Sequence, residues 1–280
     1  MLRSSTISNE NDEERVVPSM GTVTAPLKTG AKKLVDAWRV RAWVRKKHSV
    51  DDVWQMLQLK GDLDEIIANP KLELLDTYVK LFNKKYKQEE SVVGMLSLRY
   101  GDDNVMMTLL KARQVDNHGI AAKLQFMQLK EWFIKGKSVN DVFNILKIGD
   151  DGPKFMENPK LRLLDEYIGL FNFKNPHEKT DYFTALTNGF GGEGQFVIVL
   201  SKATENPTMG AQALDYQEHL FDMWIKSGVK PENFIKRIYN VDEKKLAVDS
   251  DEKHIANLFK KFYDEDLGLD QIPRVIDPRW

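Results

Sequence analysis

The sequence predicts an all-α chain of tandem helical bundles, and three observations carry that prediction. A long segment recurs at a fixed offset of 89 residues. Helix-start signals stand at matching places in the two copies. Apolar residues fall at helical spacing from about residue 31 almost to the end, while the alternation that would mark strands is scarce.

The repeat is read by setting residues 43–83 against 132–172. WVRKKHSVDDVWQMLQL faces WFIKGKSVNDVFNILKI, and NPKLELLDTYVKLFN faces NPKLRLLDEYIGLFN. With no gap, 19 of 41 positions are identical, where chance would give only a few. Most mismatches keep their character, as in Trp54/Phe143, Met56/Ile145 and Val79/Ile168. A weaker third copy follows at an offset of 92, with Trp224 opposite Trp132 and Phe259 opposite Tyr167. Leu-rich segments, MLSLRYGDDNVMMTLLKAR and ALTNGFGGEGQFVIVLSKA, follow the first two copies, with one residue inserted in the second. Each unit is therefore a Trp segment, a Tyr segment and a Leu-rich segment. The expected divisions are a disordered leader over 1–30, a first unit over 31–114, a second over 115–204 and a divergent third over 205–280.

Local chemistry explains why these units fold as helices. Ser49 and Ser138 precede VDDVWQML and VNDVFNIL, where a hydroxyl can accept from a free N–H of the first turn. Asp51 and Asp52 then sit where the helix dipole favours negative charge. Val50, Val53, Trp54 and Leu57 form the stripe of a buried face. Asn69-Pro70 and Asn158-Pro159 start the next helix, since Pro at the first position loses no hydrogen bond. Leu72, Leu75, Tyr78, Val79 and Phe82 continue it, and Leu161, Leu164, Tyr167, Ile168 and Phe171 repeat it. Trp43 is expected to pack on Tyr78, Trp132 on Tyr167, and Trp224 on Phe259. All six are read as structural core, because a large amphipathic ring fills a core and keeps one polar atom at its edge.

Composition narrows the function. The 280 residues are 42% hydrophobic and 30% charged, with a net charge of -1. That balance lacks the basic excess of a nucleic-acid binder. No apolar run is long enough to span a membrane. With no cysteine, disulfides, thiol nucleophiles and zinc–thiolate sites are excluded, so the core alone must hold the fold. Residues 1–30 are polar, contain Pro18 and Pro26 and have no apolar h-region. The chain as it stands thus begins without a signal peptide, and Met1 reads as a start placed on a processed protein.

Several motifs read more simply as structure. Gly189-Phe190-Gly191-Gly192-Glu193-Gly194 matches G-x-G-x-x-G, but a dinucleotide loop needs a preceding strand, and this segment reads helical. Trp54 to Leu57 matches a W-x-x-L peptide motif, yet its repetition as Phe143 to Leu146 points to a core helix. His48, His118, His177, His219 and His254 form no ligand pair, and His48 is expected at the surface. The runs Arg45-Lys46-Lys47 and Lys84-Lys85 read as solvated faces. The segment 204–223 is expected to be a joint between the second and third copies. No cofactor or metal is implied, and the partner-contacting residues are not identified.

At this point the chain resembles the oomycete RXLR effectors with tandem WY/LWY units. Leu2-Arg3 match the second half of the Arg-x-Leu-Arg motif, whose first half is absent. Asp12, Glu13, Glu14 and Arg15 match the acidic motif that follows it. The W and Y motifs fall on Trp43 and Tyr78, Trp132 and Tyr167, and Trp224 with Phe259 in place of Tyr. The resemblance implies helical-bundle repeats in an elongated array and a non-enzymatic virulence protein. It further implies secretion, delivery to host cytoplasm or nucleus, and suppression of immunity by binding a host plant protein. A phosphatase scaffold subunit and an immune receptor are the partners it suggests, with no nucleic acid and no membrane span. The alternative is an intracellular helical-repeat adaptor with no virulence role; a divergent helical hydrolase has no residue constellation behind it.

Overall fold

The structure, a computed structural model, describes residues 24–116 and 119–266, with side chains from residue 34 onward. Among the described residues every regular element is helical. The chain divides into two compact units, Met1–Asp102 and Asp103–Trp280.

The first unit holds α1 (Thr24–Lys46), α2 (Val50–Leu57), α3 (Leu63–Ala68), α4 (Lys71–Tyr86) and α5 (Val92–Tyr100). Helix α1 corrects the expected leader at its end, because residues 24–30 are helical. Pro26 lies in the first turn, where a backbone N–H would have no helical partner to lose. Helix α1 stops on Lys47, whose φ is 56°, and the His48 N–H returns to the Trp43 carbonyl at 3.3 Å. Helix α2 starts on a reciprocal cap: Ser49 Oγ accepts from the Asp52 N–H at 3.0 Å, and Asp52 Oδ2 accepts from the Ser49 N–H at 2.8 Å. Those bonds hold the Asp52 carboxyl below the usual carboxylate range, the Ser49 backbone N–H contributing most.

The second unit holds α6 (Asp102–Val115), α7 (Ile120–Ile134), α8 (Val139–Ile145), α9 (Leu161–Lys174), α10 (Tyr182–Gly189) and α11 (Glu193–Ala203). It continues through α12 (Gly210–Lys226), α13 (Phe234–Tyr239) and α14 (Asp251–Asp266). The turn chemistry is copied: Ser138 and Asp141 cap α8 at the same 3.0 and 2.8 Å. Gln58 and Lys147 both end their helices at φ 54°. One element is remade. Leu63 and Asp64 open α3, but Gly152 and Pro153 stand at those places, and residues 148–157 form 3₁₀ turns bent at Gly152. Ile66 and its counterpart Phe155 are nonetheless both fully buried.

The compact units do not follow the sequence period. A single core runs from Met106 to Phe259, so the second and third copies share one interior. Helix α6, placed by the period at the end of the first unit, belongs to the second compact unit, where Met106 and Leu110 are buried in that core. Its apolar stripe is buried there, and burial rather than sequence order decides which unit it joins. The expected joint over 204–223 is likewise largely helix, with one face packed into the core. Residues 210–223 lie in α12, with Ala213, Leu220 and Phe221 buried. Gly210 fits because a Cβ there would lie 2.4 Å from the Thr204 carbonyl oxygen.

Replacing Tyr167, which is wholly buried, with Ala is expected to destabilise the second unit by about 3–5 kcal/mol. Leu98→Ala, at a position 91% exposed, should stay within about 0.5 kcal/mol. Urea midpoints of the two variants check both values.

Candidate functional site

The repeated aromatics meet as the sequence requires. Trp43 and Tyr78 pack edge to face at 6.5 Å between ring centroids, and Trp132 and Tyr167 at the same 6.5 Å. Both tyrosines are fully buried, and both tryptophans are half-buried. In the third copy Trp224 lies 6.1 Å from Phe259, which stacks on Phe234 at 4.6 Å. The Trp224 Nε1–H donates to Glu193, a residue of α11. Leu2, Arg3, Asp12, Glu13, Glu14 and Arg15 lie outside the described residues, as does His118.

Each buried tyrosine fixes a turn. The Tyr78 hydroxyl donates to the His48 carbonyl, and the Tyr167 hydroxyl to the carbonyl of Lys137, the matching residue. The N–H of that same residue bonds back to the Trp carbonyl, at 3.3 Å in the first copy and 3.0 Å in the second. The third copy keeps this second bond, from the Val229 N–H to the Trp224 carbonyl at 2.9 Å. Burial pushes the Tyr78 and Tyr167 phenols up to about 12.

Two further clamps were not singled out from the sequence. Lys71 Nζ donates to the Leu57 carbonyl at 2.9 Å, and Lys160 Nζ to the Leu146 carbonyl at 3.1 Å. The Asn83 amide bonds Glu90 both ways, at 2.7 and 3.1 Å, and Asn172 does the same to Thr180 at 2.7 and 3.0 Å. Their signal was present, since all four are polar identities between the copies. An identical residue on a helix gives no hint that its partner is a distant carbonyl.

The outer faces have diverged. In the first unit, α1 and α4 leave a groove of about 590 Å³. Its floor is Trp38, Val44 and Leu81, and Trp38 is 66% exposed. Arg41 and Arg45 from α1 and Lys84 and Lys85 from α4 rim it, so the fold joins two basic runs that are distant in sequence. The Tyr86 hydroxyl donates to the Val44 carbonyl at 2.7 Å and ties the helices together. In the second unit, Ile134 stands in place of Arg45 and Phe173 in place of Lys84, at 75% and 77% exposure. That unit carries instead an ion pair of its own, Arg113 with both carboxylate oxygens of Glu166 at 2.9 Å. Burial of Glu166 would raise its pKa, but the bonds from Arg113 and Arg162 outweigh it and hold the carboxyl low.

The remaining motifs resolve into structure. Trp54 and Leu57 are buried in α2, not displayed as an extended peptide. Gly191 and Gly192 take positive φ, 92° and 106°, in the turn between two helices. His48, expected at the surface, is half-buried, and its carbonyl accepts the Tyr78 hydroxyl. Among the described residues, no cluster of three acidic or histidine side chains could hold a metal, and no helix is long and apolar enough to cross a membrane.

No protein-family model matches the chain. An RxLR effector protein of Phytophthora infestans is 31% identical over 241 residues, 85% of this chain and 46% of its own length. A second from the same species is 32% identical over 201 residues, 70% of this chain and 28% of its own. This chain is an RxLR effector homologue. RxLR effector protein PSR2 of Phytophthora sojae is 28% identical over 196 residues, 69% of this chain and 29% of its own length. The homologue thus spans less than half the length of these relatives. The crystal structure of PcRxLR12 matches it in fold, with a TM-score of 0.59 over 89% of this chain and 60% of that one, at 23% identity.

The raised phenols make stability depend on high pH. The unfolded chain releases these protons near 10.0 and the folded chain near 12, so their contribution is intact below pH 10.0 and is lost as pH rises through about 12. Tyr78→Phe with Tyr167→Phe is expected to move alkaline unfolding upward, read by circular dichroism against pH. Each change should also cost about 1 kcal/mol at neutral pH, for the lost bond to the turn carbonyl. Tyr182 and Tyr239, also raised by burial, will preserve part of the alkaline loss.

Proposed function

We propose that this RxLR effector homologue is secreted, enters the cytoplasm or nucleus of plant cells and suppresses immunity there by binding a host protein. It works as a helical scaffold without catalysis. The reading is supported by where the copies agree and where they differ. Caps, turn clamps and the Trp–Tyr contact repeat almost unchanged, while outward positions such as Arg45/Ile134 and Lys84/Phe173 exchange charge for apolar surface. A duplicated interior with divergent exteriors is the pattern of a binding scaffold, because the outside is free to change once the inside supplies the stability. A phosphatase scaffold subunit or an immune receptor suits such a surface as partner.

Transient expression of the chain in leaf tissue, followed by a microbial elicitor peptide, tests this reading. The oxidative burst is expected to fall relative to leaves making an unrelated helical protein. A full burst in tissue where the folded chain accumulates would reject the proposal.

A further inference from the structure

We infer that the α1/α4 groove of the first unit is a docking site for an acidic amphipathic helix of a partner protein. The inference rests on the host-protein-binding reading above and specifies its surface and chemistry.

The groove combines features that seldom coincide on a surface without a partner. Trp38 is 66% exposed and Leu81 is 38% exposed, side by side over the buried Val44. Isolated apolar residues are ordinary on a surface, but here they form the floor of a concavity of about 590 Å³. The rim supplies two guanidinium and two ammonium groups, and among the described residues no acidic side chain lines the groove. Trp and Arg are the residues that dominate binding energy where a partner excludes water. Tyr86 fixes the walls, with its hydroxyl on the Val44 carbonyl at 2.7 Å and the Lys85 ammonium 5.1 Å from its ring. In the second unit Asn175 stands at that place, and Ile134 and Phe173 replace two of the rim cations.

The shape and charge select the occupant. A trough between two packed helices accepts the ridge of a third, which sets apolar side chains at helical spacing into the floor. The four cations then require carboxylates on the flanks of that helix. A single-stranded nucleic acid would instead need several stacking rings along a basic track, and the groove offers one indole.

The probe is a fluorescein-labelled designed peptide of about 20 residues, long enough to form a helix, with a leucine face and glutamate flanks. Its partners in the assay are the whole chain and the variants Trp38→Ala and Arg45→Glu/Lys84→Glu, each verified as folded by circular dichroism and melting. Saturable binding is expected, weakened about tenfold or more by either variant, as befits loss of a central anchor or of its charge match. A peptide with the same leucine face and lysine flanks should bind the charge-reversed variant in preference to the parent chain. Absence of saturable binding, or binding that both variants leave unchanged, would overturn the inference. So would tighter groove-dependent binding of single-stranded RNA or of phosphatidylserine vesicles.

Leaf expression separates this inference from the broader one. If Arg45→Glu/Lys84→Glu suppresses the burst as well as the parent chain, the groove is not the working surface, while host-protein binding stands. If the parent chain itself leaves the burst intact, the broader reading fails whatever the peptide does.

Discussion

A single turn, gripped from two sides, organises each of the first two copies. The Trp-bearing helix ends there, and the N–H of the residue five places beyond Trp43 or Trp132 returns to the Trp carbonyl. The carbonyl of that same residue then accepts the hydroxyl of a tyrosine thirty positions further on, Tyr78 or Tyr167. One bond is local and the other is long-range, so the end of one helix and the middle of another are fixed together. A buried hydroxyl without a partner would be costly, and the turn removes that cost while bringing the indole edge onto the phenol ring. Capping boxes at Ser49 and Ser138 begin the next helix at once, which leaves the turn little freedom to slide.

The third copy indicates which part of this arrangement is dispensable. Phe259 has no hydroxyl, yet the Val229 N–H still bonds to the Trp224 carbonyl. Stacking of Phe259 on Phe234 and contact with Trp224 fill the space instead. This copy also shares one core with the second, from Met106 to Phe259, so its stability draws on a larger interior than its own helices could enclose. Exchange of a specific hydrogen bond for aromatic packing is tolerable where more apolar surface surrounds it.

The division between a repeated inside and a changed outside also bears on the groove. Arg45 and Lys84 differ from Ile134 and Phe173 although the backbones at these places are alike. A charge exposed to water and an apolar side chain exposed to water have similar consequences for folding, so folding alone does not choose between them. They differ greatly in what they attract. The residues most open to change are therefore those with most influence on partners.

The sequence by itself determined the helices, their caps, the two-copy register and the pairing of Trp43 with Tyr78 and Trp132 with Tyr167. These are set by spacing of apolar residues and by local hydrogen-bonding groups, both of which are visible in one dimension. The repeated polar positions Lys71/Lys160 and Asn83/Asn172 were visible as identities, but their carbonyl partners were not. Only the tertiary structure decided that α6 belongs with the second core, that residues 210–223 form a helix with one face in that core rather than a joint, and that two basic runs contribute to one groove. Each of those outcomes depends on which surfaces exclude water together. That is a property of the packed chain in three dimensions, and no local pattern encodes it.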